Sequence, residues 1–152
     1  MKKKTLGWKD KIDFIDWGLE NLDIKIDTGA RTSVIHCKEI ALIKKYRKNY
    51  VKFILLDDKH PQFSNQEFIL PFHKEKKVKN SFGHEENRFI VKTTVKIYGK
   101  KHEIEISLRD RSNLEFPVLL GRSFIRKKYI IDVTKADLNF KQKTQKQSLM
   151  GK

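Results

Sequence analysis

Residues Ile24–Ser33 read IKIDTGARTS. Ile24 and Ile26 alternate with Lys25, the period of a strand with one buried face. The run then stops on Asp27, Thr28 and Gly29. A carboxylate is expensive to remove from water, so an acid fixed at the end of a buried strand implies a use for it. The glycine two residues on permits a tight turn and a close backbone approach. The stretch reads as a strand that delivers an acid to a loop.

The same period of two dominates the rest of the chain. In FIVKTTVKIYGKKHEIEISLRD, Val91, Thr93, Val95 and Ile97 alternate with Lys92, Thr94 and Lys96, and beyond the Gly99-Lys100 turn Ile104, Ile106 and Leu108 alternate with Glu103, Glu105 and Ser107. This predicts a β-hairpin with one buried and one wet face. Further strands are expected at Leu6–Phe14, Leu22–Ile26, Ser33–Ile40, Tyr50–Leu56, Glu67–Phe72, Pro117–Leu120 and Tyr129–Val133. Only Gly121–Lys128 suggests a short helix, and Ile40–Lys48 is expected to be a turn or a helical turn. Many short strands and few helices imply a closed or nearly closed all-β domain. The domain is expected to span residues 1–139, followed by a disordered basic tail at 140–152, where FKQKTQKQSLMGK offers few apolar residues.

The chain has 152 residues, 38% of them hydrophobic, enough for one domain with a core. MKKKTLGWKDKIDF has no apolar run behind its lysines, no segment is apolar enough to span a membrane, and a single cysteine, Cys37, excludes an internal disulfide. A cytoplasmic protein with no membrane partner is expected. The net charge of +15 implies polyanionic partners: nucleic acid, an anionic membrane surface or an acidic peptide. No RNP motif, zinc finger or helix-turn-helix accompanies it, so nucleic acid is possible but not favoured.

An Asp-Thr-Gly after an apolar strand is also an ordinary turn. A second element distinguishes it here: FPVLLGRSFIRKKYIIDV, far downstream, supplies Val118, Leu119, Leu120 and Gly121, then Arg122 and another strand. Asp27-Thr28-Gly29-Ala30 followed by this apolar pair and glycine resembles the retropepsin-like aspartic peptidases. IDTGARTSVIHC, KVKNSFGHEENRFIVKTTV and SLRDRSNLEFPVLLGRSFIRKKYIIDV further resemble a bacterial and archaeal family labelled ATP-dependent zinc protease, often linked with ligases that add glutamate to proteins, ribosomal ones included.

The resemblance implies a retropepsin-like closed β-barrel with one short helix after the late Leu-Leu-Gly. It also implies an aspartic endopeptidase in which Asp27 is catalytic, while Thr28, Gly29, Ala30 and Gly121 support the loop. Because the chain has one Asp-Thr-Gly, the two-carboxylate chemistry requires a homodimer. Two acids a few ångströms apart share one proton, as aspartic peptidases in general illustrate, so one activates water while the other polarises the scissile carbonyl. Arg31 and Arg122 are both basic where retroviral enzymes pair an acid with an arginine. Those guanidinium groups would instead hold substrate carboxylates, pointing to acidic or glutamylated tails; the competing expectation is that Arg31 pairs with Asp110 or Asp132. NSFGHEENRF is the candidate flap, with Ser81, Gly83 and Arg88 at the substrate.

No HExxH and no phosphate-binding GxxxxGK[ST] occurs, so no cofactor and no metal is expected despite the family label. His36-Cys37 suggests a zinc site or a thiol nucleophile, but adjacent residues in a strand point to opposite faces; separately, the family label implies a zinc-dependent peptidase as one alternative. A non-catalytic basic β-barrel that binds RNA or the ribosome is the other.

Overall fold

The computed structural model describes residues 2–79, 82–111 and 115–150. Along the chain run β1 Lys4–Leu6, β2 Lys9–Phe14, a 3-10 turn Ile15–Trp17, β3 Leu19–Asp27, β4 Ser33–Lys45, β5 Lys48–Leu55, β6 Glu67–Pro71, β7 Lys74–Lys79, β8 Glu85–Ile97, β9 Lys100–Arg109, β10 Val118–Gly121, α1 Arg122–Ile125, β11 Tyr129–Ile131 and α2 Leu138–Met150. Six of the strands, in the order β10, β3, β2, β8, β9, β4, close on themselves because β10 pairs with both β3 and β4. The structure is therefore mostly β, as the alternation implied, and is the closed barrel that the resemblance implied.

The alternating faces fill the interior. Ile12, Phe14, Leu22, Ile24, Val91, Val95, Ile104, Ile106, Val118 and Leu120 are all buried, each contributing about 1.5–3 kcal/mol by leaving water. The expected hairpin is present, with Val91↔Ile106, Thr93↔Ile104 and Val95↔His102 in register. Its two-residue turn uses Tyr98 and Gly99, both at positive φ, as such hairpins favour.

Several expectations are corrected. Leu6–Phe14 is two strands, not one. The chain breaks at Gly7 because the backbone of Lys135 passes there, so close that a Cβ on Gly7 would lie 2.0 Å from the Lys135 carbonyl oxygen. Strand β1 instead pairs in parallel with β11, Lys4 with Tyr129 and Leu6 with Ile131. Ile40–Lys48 is not a helical turn. A bulge at Glu39, with φ 54°, shifts the register between Lys38 and Ala41, and β4 then runs out of the barrel to Lys45. With β5 and β6 it forms a three-stranded wing. Strand β7, KEKKVK, has no alternation to read and is absent from the expected set: it is a lysine-rich edge strand beside β8.

Of the segment 140–152 expected to be a disordered tail, residues 140–150 belong to the helix α2, and residues 151–152 lie outside the described residues. The first turn of α2 is held by a residue from the other end of the chain. The buried Asp10 carboxylate accepts the N–H of Asn139 at 2.9 Å and of Phe140 at 3.1 Å, along with that of Lys11 at 2.7 Å. Asn139 in turn accepts the Tyr98 N–H at 2.7 Å and donates to the Lys11 carbonyl at 2.6 Å, and Lys143 binds both Asp13 oxygens at 2.9 Å. Burial raises the Asp10 carboxyl above its ordinary value, and the three N–H donors work against that rise.

Replacing Asp10 by Ala strands the first N–H groups of α2. Thermal unfolding is expected to register a loss of about 1–3 kcal/mol, and far-UV circular dichroism a loss of helical signal at room temperature.

Candidate active site

The loop after β3 is built on top of β10. The late strand lies between β3 and β4, with Val118 opposite both Ile24 and Ile35, and Gly121 opposite Asp27. Gly121 allows this close stacking: a Cβ there would lie 2.7 Å from the Thr32 carbonyl carbon and 2.9 Å from the Arg31 oxygen. Its N–H donates to the buried Ser33 hydroxyl at 3.0 Å.

The chain after Gly121 then fastens the loop. Arg122 and Ser123 donate their backbone N–H groups to the carbonyls of Ala30 (2.8 Å) and Arg31 (3.0 Å). The Arg122 guanidinium donates to the Gly29 carbonyl at 2.9 Å and the Thr28 carbonyl at 3.4 Å. One guanidinium nitrogen of Arg122, a residue expected at the substrate, thus braces the loop carbonyls. Ala30 closes the turn by donating to the Asp27 carbonyl at 3.2 Å. A Cβ on Gly29 would rest 3.4 Å from the Asp27 Oδ1, so glycine leaves that oxygen open. Asp27 itself is half-buried, while Thr28 and Gly29 are exposed.

Asp27 opens into a cleft of about 440 Å³ between the loop, β9 and the β7–β8 hairpin. It is the only acid among the described residues lining that cleft, which also presents Arg31, Lys76, Arg88, Arg109 and Arg111. Of these, the sequence points to Arg31 and Arg88 but not to Lys76, Arg109 or Arg111. Arg31 forms no ion pair with Asp110 or Asp132 among the described residues: Asp110 lies nearest His36, and Asp132 accepts from Thr134. Arg88 faces Lys76 directly across the β7–β8 pair, and like charges so placed repel. Ser81 lies outside the described residues. Gly83 sits in the exposed turn of the hairpin at φ 80°.

The cleft's cations are incompletely partnered. The Nε groups of Arg88 and Arg109 and the Ser107 hydroxyl are buried without a hydrogen-bond partner among the described residues. Glu86 is 4.0 Å and 3.9 Å from the two Nε atoms, too far to bond. Burial, with the guanidinium of Arg88 beside it, pulls Arg109 below the ordinary arginine value; burial and Arg88 act in the same way on Arg111, opposed by Asp27. Buried donors without acceptors call for an explanation. An anion in the cleft would lower the repulsion among these cations.

His36 has a supporting position that its sequence context does not reveal. It is 6% exposed. Its Nδ1 accepts the backbone N–H of Arg111 at 2.8 Å, which leaves Nε2 to donate to the Asp57 carboxylate at 2.7 Å. Burial works to raise the Asp57 carboxyl, but the Lys59 N–H and His36 outweigh it and hold the acid below its ordinary value. The histidine thereby anchors the backbone from which Arg111 reaches the cleft.

No group of three or more His, Cys, Asp or Glu side chains is placed to hold a metal among the described residues. Both His36 ring nitrogens are engaged, and burial pushes the fully buried Cys37 thiol well above its ordinary value, which keeps it protonated and a poor nucleophile. Among the described residues no helix is long and apolar enough to cross a membrane.

A closed barrel that offers one acid on a loop stacked over a late Leu-Leu-Gly strand defines the retropepsin-like class. The chain belongs to the RimB-like family, described as "Retropepsin-like aspartic endopeptidase RimB", whose model matches residues 5–142. It is also 30% identical over 134 residues to a Desulfotalea psychrophila protein named "Probable alpha-L-glutamate ligase", and 28% identical over 134 residues to one of the same name from Shewanella pealeana. Each match covers 86% of this chain but only 28% of the relative, so the chain spans little more than a quarter of the curated relatives it matches. A crystal structure from Legionella pneumophila, described as a protein with unknown function, has the same fold, with a TM-score of 0.73 at 24% identity over 91% of this chain and 99% of the other.

Substituting Gly121 by Ala drives a methyl group into the Thr32 backbone. The expected cost is about 1–3 kcal/mol, measurable as a fall in melting temperature on the order of 5 °C.

Proposed function

We propose that two copies of this chain form an aspartic endopeptidase that cleaves acidic, glutamate-rich protein tails. The observation that carries this reading is the Asp27 cleft: one acid on a braced loop, surrounded by five cations, with three buried donors lacking acceptors among the described residues. A single carboxylate does not make the proton-sharing pair. The exposed Thr28-Gly29 turn leaves room for a second copy to bring its own Asp27 alongside across a two-fold axis. One carboxylate then takes a proton from water as the other, protonated, hydrogen-bonds the scissile carbonyl, so the attacking oxygen and the developing charge are both served.

The cations supply the substrate's side-chain contacts. Guanidinium groups bind carboxylates bidentately, and burial strengthens each such pair. Relatives carrying the name "Probable alpha-L-glutamate ligase" support a substrate that bears glutamate. The β7–β8 hairpin, carrying Lys76 and Arg88, forms one wall of the cleft and would act as the flap over a bound peptide.

Two measurements test the reading. Asp27→Asn is expected to lower cleavage of an oligoglutamate-tailed peptide by about a hundredfold to ten-thousandfold, and sedimentation is expected to find the active species at twice the mass of one chain. Full activity in Asp27→Asn, or in a strict monomer, defeats the proposal. Arg109→Ala is expected to raise KM for the acidic peptide by about tenfold or more and to leave cleavage of a neutral peptide nearly unchanged; equal losses on both peptides would remove the charge-recognition part alone.

A further inference from the structure

At the far end of the wing, the β4–β5 hairpin closes through Lys44-Lys45-Tyr46-Arg47-Lys48. Lys45 stands directly opposite Lys48, and Lys44 opposite Asn49, so no acid answers these cations across the pair. Like charges in register destabilise a hairpin. The turn carries a second cost. Tyr46 and Arg47 both adopt positive φ, 52° and 63°, in a two-residue turn that favours Asn-Gly.

The molecule contains its own comparison. The β8–β9 hairpin makes the same kind of turn with Tyr98 at φ 53° followed by Gly99 at φ 75°, so the second, more demanding position falls to glycine. Tyr98 is also anchored: its hydroxyl donates to the Thr5 carbonyl, and the Lys4 ammonium lies 4.9 Å from its ring centre. Tyr46, in contrast, is 87% exposed. One hairpin tip is tied down and gives its second turn position to glycine, whereas the other sets two non-glycine residues at positive φ and displays an exposed ring among four cations.

Strain kept at an exposed tip points to function. An aromatic face flanked by positive charge matches one ligand chemistry closely, a single-stranded nucleic acid, whose bases stack while its phosphates are neutralised. A bilayer would call for apolar side chains beside the cations, and these five residues offer none beyond the phenol ring. We propose that the β4–β5 tip is a docking site for single-stranded nucleic acid, with Tyr46 stacking on a base and Lys44, Lys45, Arg47 and Lys48 holding the backbone. The site is separate from the Asp27 cleft and operates whether or not the cleft hydrolyses peptides.

The test is fluorescence anisotropy with the full chain and a labelled oligouridylate of about twelve nucleotides, titrated from about 50 to about 200 mM KCl. Tyr46→Ala is expected to weaken binding about fivefold or more, and Tyr46→Phe to retain it. Lys44→Gln together with Lys48→Gln is expected to flatten the salt dependence by about 0.7 per charge removed. Arg47→Gly gives the most discriminating result: relief of the left-handed backbone raises the melting temperature while RNA binding falls, a divergence that a purely structural tip would not produce. Lys100→Gln with Lys101→Gln, at the other hairpin, serves as the control for general charge and is expected to change affinity by less than about twofold at moderate salt. Asp27→Asn is expected to bind as wild type, which separates this proposal from the peptidase reading. The proposal is overturned if wild type does not bind the oligomer, or if Tyr46→Ala binds as wild type. It is equally overturned if the Lys100/Lys101 control loses as much as the Lys44/Lys48 pair, or if phosphatidylglycerol vesicles bind with the same dependence on Tyr46.

Discussion

The fold depends on how closely β10 can lie beneath the loop that carries Asp27. Strand β10 runs between β3 and β4, and its last residue sits so near the Ala30–Thr32 backbone that no side chain fits. The pairing of β10 with both neighbours closes the barrel, since among the described strands no other joins β3 to β4. It also sets the height of the loop, because the next two residues donate their N–H groups to Ala30 and Arg31. A single close approach thus couples the closure of the core to the position of the acid. The Arg122 guanidinium extends the same attachment to Thr28 and Gly29, so the loop is held from the strand end to the helix start by groups contiguous in sequence.

Charge is unevenly distributed around this frame. The excess of 15 positive charges is not a uniform coat. Some of it is neutralised locally, as where Lys143 holds Asp13 and Lys11 holds Asp23. Around Asp27, arginines from β8, β9 and the following segment converge with too few acids among the described residues to balance them, and the Nε groups of Arg88 and Arg109 are buried. A protein keeps such an arrangement at a cost to its own stability, since desolvated like charges oppose folding. His36 reinforces the arrangement. A buried imidazole bridging Asp57 and the Arg111 backbone fixes one of these arginines from behind.

The parts legible in the sequence are those whose information is local. The β8–β9 hairpin is readable because its buried face alternates strictly and its turn contains Gly99. Asp27-Thr28-Gly29 and Val118–Gly121 are readable because each is a short, ordered set of residue types. What cannot be read depends on distant partners or on an absence of pattern. Helix α2 is polar on all sides and takes its N-terminal bonds from Asp10, so nothing near residue 138 announces it. Strand β7 is almost all charge, and only the pairing with β8 makes it a strand. The bulge at Glu39 that turns β4 into the wing is a non-glycine residue at positive φ, a conformation its identity does not suggest. Of the cleft residues, Arg31 is legible because it adjoins the Asp-Thr-Gly-Ala signature. Arg109 and Arg111 lie at the end of a strand whose register alone brings them to the Asp27 cleft, and the one clue is the density of arginine in RDR.

The two ends of the described chain are sewn to each other rather than left to fray. Strand β1 pairs with β11, Lys9 bonds Asp137 at 2.9 Å, and Asp10 holds the start of α2. Segments that open independently in most domains are here tied into the same cooperative unit as the barrel. Amide exchange along the first turns of α2 and along β1 should therefore slow and quicken together.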